Sequence, residues 1–205
     1  MTSSETAWPA GHTEGLSERV GLLLLNLGTP DGTDYRSLRR YLSEFLSDRR
    51  VVELSPWLWQ PILQGIVLTL RPRKSARAYH AIWDREQGDS PLRLITRAQA
   101  EKLAARLGAK FPGLEIDWAM RYGRPSVAEK LEGLIARGCR RLVVFPLYPQ
   151  YSAATTATAC DEVFRVLMRQ RWQPALRSVP AYYDAPAYIA ALANSVRRAL
   201  AGLVW

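Results

Sequence analysis

Residues 20–25 read VGLLLL, an unbroken apolar run at the start of the ordered part of the sequence. A strand with one wet face would alternate apolar and polar side chains. A continuous run fits a parallel strand covered on both faces. A second run, LVVF at 142–145, lies within a buried strand expected over 141–147. Residues 114–120 alternate apolar positions with Glu115 and Asp117 and read as a further strand, and 176–181 as a last one. Parallel strands cannot be joined by hairpins; each needs a crossover, usually a helix.

The segments between these runs supply the helices. From Asp34 to Ser47, Leu38, Tyr41, Leu42, Phe45 and Leu46 fall on one helical face. Ser55-Pro56 reads as an N-cap followed by a first-turn proline. The helix it opens carries Trp57, Trp59, Ile62, Leu63, Ile66, Val67 and Leu70, apolar on more than one side, with a kink expected at Pro61. Separate helices are expected over Ser75–Gln87, ended by Gly88, and over Thr96–Lys110. Ser126 and Glu129 form a capping box for a helix closed by Gly138. Thr156–Gln170 and a last helix, capped by Asp184 and running toward Leu203, complete the alternation. The fold class is therefore α/β: a parallel, Rossmann-like sheet with helices on both faces and right-handed crossovers.

With 205 residues, the chain suffices for one domain or one and a fraction. It carries 28 Lys+Arg against 19 Asp+Glu, a formal net charge of +9. Such a balance suits nucleic acid, anionic lipid or an anionic small molecule, and charge alone does not choose among them. Cys139 and Cys160 lack C-x-x-C spacing and are expected to be buried free thiols in a reduced, intracellular setting. Residues 1–18 are polar, without a signal-peptide pattern, and read as a flexible tail. Nothing reaches the roughly 18 consecutive apolar residues of a membrane span.

In open α/β sheets, ligands bind beyond the carboxyl ends of the strands. Asn26–Pro30, Met120–Gly123 and the stretch FPLYPQYSAATTAT at 145–158 are expected to share that edge. Together they bring an amide, Arg121, Tyr122, Tyr148 and several hydroxyls to a half-apolar pocket, the usual make-up of a small-molecule site. Taken singly, each is equally compatible with a plain turn, a surface arginine or half-buried tyrosines. Asn26–Pro30 is neither a G-x-G-x-x-G nor a Walker A loop. A basic cluster, RPRKSAR at 71–77, directly follows the tryptophan-rich helix. An apolar lip beside cations suits a flat, greasy ligand with carboxylates, a membrane surface, or simply a solvated turn. The only histidines are His12 in the tail and His80 within a helix, so metal-ligating and Ser-His-Asp chemistry is poorly served. Nucleic acid is not expected as a partner, because no recognised binding motif accompanies the charge.

The stretches LLLLNLGTP (22–30), FLSDRRVVEL (45–54), RPRKSARAYHAIW (71–83), SPL (90–92), AMRYGRPSV (119–127) and FPLYPQYSAATTAT (145–158) together resemble the ferrochelatase family. That family inserts ferrous iron into protoporphyrin IX to make haem. The resemblance implies two similar α/β domains facing each other across a porphyrin cleft, of which this chain matches the first. Residues 1–18 would be the tail, 19–184 the domain with a cleft lip at about 45–90, and 185–205 a helix leading toward a second domain absent from this chain. The lip could also rest on a membrane. By resemblance, Arg71, Tyr79 and Ser90 contact the porphyrin, Leu27 lies at its centre, and Arg121, Tyr122 and Tyr148 form the polar inner wall. The family's catalytic histidine and its acidic partner belong to motifs of the second half, and neither His12 nor His80 matches. Pyrrole protons must leave before iron binds four nitrogens, so a base is required, and the chain is expected to be inactive alone. No cofactor is expected: Ala153 stands where some members place a cysteine of an iron–sulfur cluster, and ferrous iron is a substrate. The implied setting is the cytoplasm, with peripheral contact at the inner membrane face as an option. The alternatives are a non-catalytic porphyrin-binding module, or a chelatase for coproporphyrin or sirohydrochlorin.

Overall fold

The computed structural model describes residues 19–202; the expected tail, His12 and the far end of the last helix lie outside them. Four parallel strands form one sheet in the order β2-β1-β3-β4. They are β1 (Arg19–Thr29), β2 (Leu114–Gly123), β3 (Cys139–Pro146) and β4 (Ala175–Ser178). The helices are α1 (Tyr35–Leu46), α2 (Pro56–Ile62), α3 (Leu68–Ile82), α4 (Pro91–Leu107), α5 (Val127–Ala136), α6 (Thr158–Leu167) and α7 (Pro186–Ala201). The α/β class, the parallel sheet and the crossover helices agree with the sequence reading.

The boundaries differ in instructive ways. The expected turn at Asn26–Pro30 is mostly strand: β1 continues to Thr29, pairing Gly28 with Tyr122 and Thr29 with Gly123. Apolar patterning marks only the stretch covered on both faces, whereas backbone pairing runs past it. Gly28 is what permits this. Its φ is +114°, and a Cβ there would lie 1.9 Å from the Tyr122 carbonyl oxygen.

The expected break before Ser75 is absent. Helical backbone runs from Pro56 to Ile82, passing through a π-helical turn at Leu63–Val67 just after Pro61. That wider turn is one way to accommodate the backbone bond a proline removes. Residues 83–87 are not helical. Trp83 is extended, and Asp84 pairs antiparallel with Asp89 around a turn in which Gly88 takes a φ of +64°.

Asp89-Ser90-Pro91 is a helix start. Ser90 accepts a hydrogen bond from the Arg93 amide and Pro91 takes the first turn, so α4 begins five residues before the expected Thr96. Ser126 caps α5 as expected, accepting from the Glu129 amide at 3.2 Å. The helix expected from Thr156 opens with a π-helical turn at Ala153–Ala157 and ends at Leu167. Ala185, not Asp184, occupies the cap of α7. Both cysteines are free, but only Cys139 is buried; Cys160, on α6, is half-buried.

Two apolar clusters hold the domain. One contains Leu23 and Leu25 of β1, Leu142 and Val144 of β3, Leu131 and Leu134 of α5, and Val163 of α6. The other sits over the carboxyl edge of the sheet: Tyr41, Leu42 and Leu46 of α1 close on Leu63, Leu68 and Tyr122. Each fully buried leucine contributes about 1.5–3 kcal/mol relative to exposure. Backbone leaving β1 returns to β2, and backbone leaving β3 returns to β4, on the opposite side. The crevice between the carboxyl ends of β1 and β3 is therefore the topological switch point, where open α/β sheets bind ligands.

Candidate functional site

Aromatic side chains gather at the same carboxyl edge of the sheet. Tyr122, at the end of β2, is fully buried, and its ring meets Phe45 edge-on with centroids 5.1 Å apart. Tyr41 meets Phe45 at 6.2 Å and Tyr79, from α3, at 6.2 Å. Leu27 and Tyr79 pack partly buried against the same cluster. Tyr148, just beyond β3, packs on the cluster beneath the sheet. Its hydroxyl is buried and has no hydrogen-bond partner among the described residues, as is also true of Thr29 and Thr156. Buried polar atoms are nearly always paired, so these three enclosed hydroxyls are exceptions.

A compact polar network backs this aromatic wall. One carboxylate oxygen of Asp48, in the connection after α1, accepts from the Arg121 guanidinium at 2.7 Å, from the Tyr122 hydroxyl at 2.8 Å and from the Thr158 hydroxyl. Arg121 also donates through Nε to the Thr158 carbonyl at 2.9 Å and lies over the Tyr122 ring at 4.4 Å. The side chains of Arg121 and Asp48 are only 13% and 10% exposed, so this is an ion pair largely removed from water. Burial pushes the Asp48 carboxyl up. Hydrogen bonds from Thr158, the Arg50 amide and Tyr122, with the charge of Arg121, outweigh it and hold the group below its ordinary value.

The tyrosines behave oppositely. Burial raises Tyr41, Tyr122 and Tyr148 well above the ordinary phenol value. All three are neutral hydroxyls at physiological pH and cannot act as phenolate bases there. His80, the histidine among the described residues, lies on α3 with its Nδ1 3.5 Å from the Thr33 hydroxyl.

The predicted site residues thus divide. Leu27, Tyr79 and Tyr122 share one cluster, Arg121 stacks on Tyr122, and Tyr148 is their electrostatic neighbour. Ser90 is buried as the cap of α4, and Arg71 is exposed on α3, apart from these groups. Asp48 and Thr158 were not singled out from the sequence. The available signal was the stretch FLSDRRVVEL, where Asp48 directly precedes two arginines and only Glu53 is also acidic. An open groove of about 720 Å³ runs beside the network, lined by Arg36, Arg39 and Arg40 of α1 and Glu162 and Arg165 of α6. Of the predicted residues only Arg121 lines it. Among the described residues no group of acidic, histidine or cysteine side chains could hold a metal ion, and no helix is long and apolar enough to cross a membrane.

Comparison with known proteins identifies the family. The family model described as Ferrochelatase matches residues 19–204. A protein named ferrochelatase from Rhizobium leguminosarum bv. trifolii is 56% identical over 205 residues, covering all of this chain and 59% of the relative. One from Agrobacterium fabrum is 54% identical with the same coverage. One from Brucella ovis is 56% identical over 200 residues, 98% of this chain and 56% of the relative. The chain therefore spans about three-fifths of the length of the relatives it matches. Because the family model covers all the described residues, the chain belongs to the ferrochelatase family.

Proposed function

We propose that this chain provides the porphyrin-holding amino-terminal part of an enzyme that inserts ferrous iron into protoporphyrin IX to form haem. The observation that carries the reading is the Tyr148 hydroxyl, buried and unpartnered at the switch point beside neutral tyrosines and a neutralised arginine. A macrocycle needs a broad apolar wall with few fixed charges, since each unpaired buried charge would be costly. Leu27, Tyr79 and Tyr148 offer such a surface, with Arg121 and Tyr122 behind it. Arg71, exposed and basic on α3, is the cation we assign to a carboxylate at the macrocycle edge. Ser90 contributes by holding α4 in position.

Chemically, the wall binds and orients. Its tyrosines are donors, not bases, and iron cannot enter until pyrrole protons have been removed. The proton acceptor is accordingly assigned to the part of the relatives that this chain does not span. No resident cofactor is invoked; Ala153 supplies no thiolate for a cluster. The lip from Trp57 to Leu70 exposes Trp57, Leu58, Ile66 and Leu70 next to Arg71, Arg73 and Lys74. That pairing of apolar and basic side chains supports a peripheral contact with an anionic membrane.

The test is a titration of the purified chain with protoporphyrin IX, followed at the Soret band, with ferrous or zinc insertion measured in parallel. A saturable shift without insertion is expected. Arg71→Ala should weaken binding by about 1.5–3 kcal/mol, the range for a charge-assisted hydrogen bond, and less in proportion to its exposure. An unchanged dissociation constant removes Arg71 from the site, and insertion by the chain alone refutes the assignment of the base elsewhere. A tighter response to coproporphyrin or sirohydrochlorin would change the substrate and leave the wall in place.

A further inference from the structure

We infer that Asp48 is the positioning residue of the porphyrin wall, acting through Arg121 and Tyr122 without touching the ligand itself; the inference rests on the function proposed above. Three donors from two elements converge on one Asp48 oxygen: Arg121 and Tyr122 from β2, and Thr158 from the start of α6. Removing that acceptor leaves the buried guanidinium and phenol with only the Thr158 hydroxyl, at 2.7 and 3.2 Å, as a shared partner, and that hydroxyl then loses its own bond to Asp48. The Tyr122 ring meets the Arg121 guanidinium at 4.4 Å and Phe45 at 5.1 Å, and Asp48 ties down both that guanidinium and the ring's own hydroxyl. Leu27 and Tyr79 pack on the same cluster and inherit that position.

Asp48 also folds the connection leading to the lip. Its second carboxylate oxygen accepts from the Arg50 amide at 2.7 Å, and its carbonyl accepts from the Val51 and Val52 amides at 3.0 and 2.9 Å. The Arg50 side chain then clasps Asp161 of α6 at 2.6 Å. One residue thus joins the back of the wall to the root of the lip. Arg50 anchors the same connection but touches nothing in the wall, which separates the two roles experimentally.

Asp48→Asn, Arg121→Lys, their double variant and Arg50→Ala should be compared in the full 205-residue chain. For Asp48→Asn a roughly tenfold weaker protoporphyrin affinity is expected, with a displaced Soret band at saturation. The double variant should bind no more weakly than the worse single one, and Arg50→Ala should stay within about twofold of the parent. Independently of any porphyrin, the Arg121 Nε–H, bonded to Thr158, should be protected from exchange by NMR in the parent and in Arg50→Ala, but exposed in Asp48→Asn. Additive losses, an unmoved Soret band, or affinity that simply tracks stability across all variants would overturn the positioning role. If the parent chain binds no porphyrin, the proposed function fails. The Nε–H measurement then decides separately whether Asp48 orders Arg121: protection retained in Asp48→Asn overturns that ordering, and its loss there alone upholds it.

Discussion

The back of the wall and the lip are built on opposite terms. Behind the wall, charge is buried and matched: Asp48, Arg121, Tyr122 and Thr158 satisfy one another within about one side chain's reach. Along the lip, the imbalance is left open. Trp57 is 93% exposed, Leu58, Ile66 and Leu70 are also exposed, and Arg71 follows at once. A side chain buried against specific partners is costly to change, whereas one that meets only solvent is not. The wall is therefore the part the fold depends on, and the lip is available for contact with something outside the chain.

The largest expected effect follows from taking away the wall's cation. Arg121→Ala leaves the Asp48 carboxylate buried without its counter-charge and should cost about 3–5 kcal/mol in urea denaturation, as for a buried pair broken from one side. A loss below about 1 kcal/mol would show that the network is wetter than its geometry indicates. Tyr122→Phe deletes one donor to the same oxygen and should cost about 1–2 kcal/mol.

Acid provides a graded version of the same break. The Asp48 pKa lies below its ordinary 3.8 in the folded chain. The unfolded state therefore binds the proton first as pH falls. The stability this group contributes is complete well above pH 3.8 and is lost as pH drops through the folded value. Urea midpoints measured from pH 7 to pH 3 should show an acid limb that is shallower in Asp48→Asn; Asp34, lowered by its Ser37 hydrogen bond, keeps its own share. An identical limb in both proteins would remove Asp48 from the linkage.

At the lip, Trp57→Ser and Leu70→Ser should each change stability by no more than about 0.5 kcal/mol. Both should reduce sedimentation with vesicles containing anionic lipid. Strong destabilisation would mean that the lip packs on the domain rather than outward.

Much of this contrast was legible in the sequence. The unbroken run at 20–25 specified a doubly covered parallel strand because no polar residue interrupts it, and Ser126 with Glu129 marked a helix start through local chemistry alone. The carboxyl-edge grouping of Leu27, Tyr122 and Tyr148 followed from strand ends in a parallel sheet. What stayed hidden depended on long-range geometry. Asp48 is more than seventy positions from Arg121 and Tyr122, and no periodicity reports a bond of that span. The continuation of β1 to Thr29 depended on pairing with β2, and the unbroken 56–82 helix on a wide turn following Pro61, neither of which has a hydropathy signature.

The most direct test is Tyr148→Phe, with stability and protoporphyrin affinity measured on the same preparation. Its hydroxyl has no partner among the described residues, so removing it should leave the urea midpoint unchanged or slightly raised. Porphyrin binding should nevertheless weaken by roughly three- to tenfold, the loss of one neutral hydrogen bond of about 0.7–1.4 kcal/mol. Lost stability with unchanged affinity would contradict the account, making Tyr148 part of the core and not of the porphyrin site.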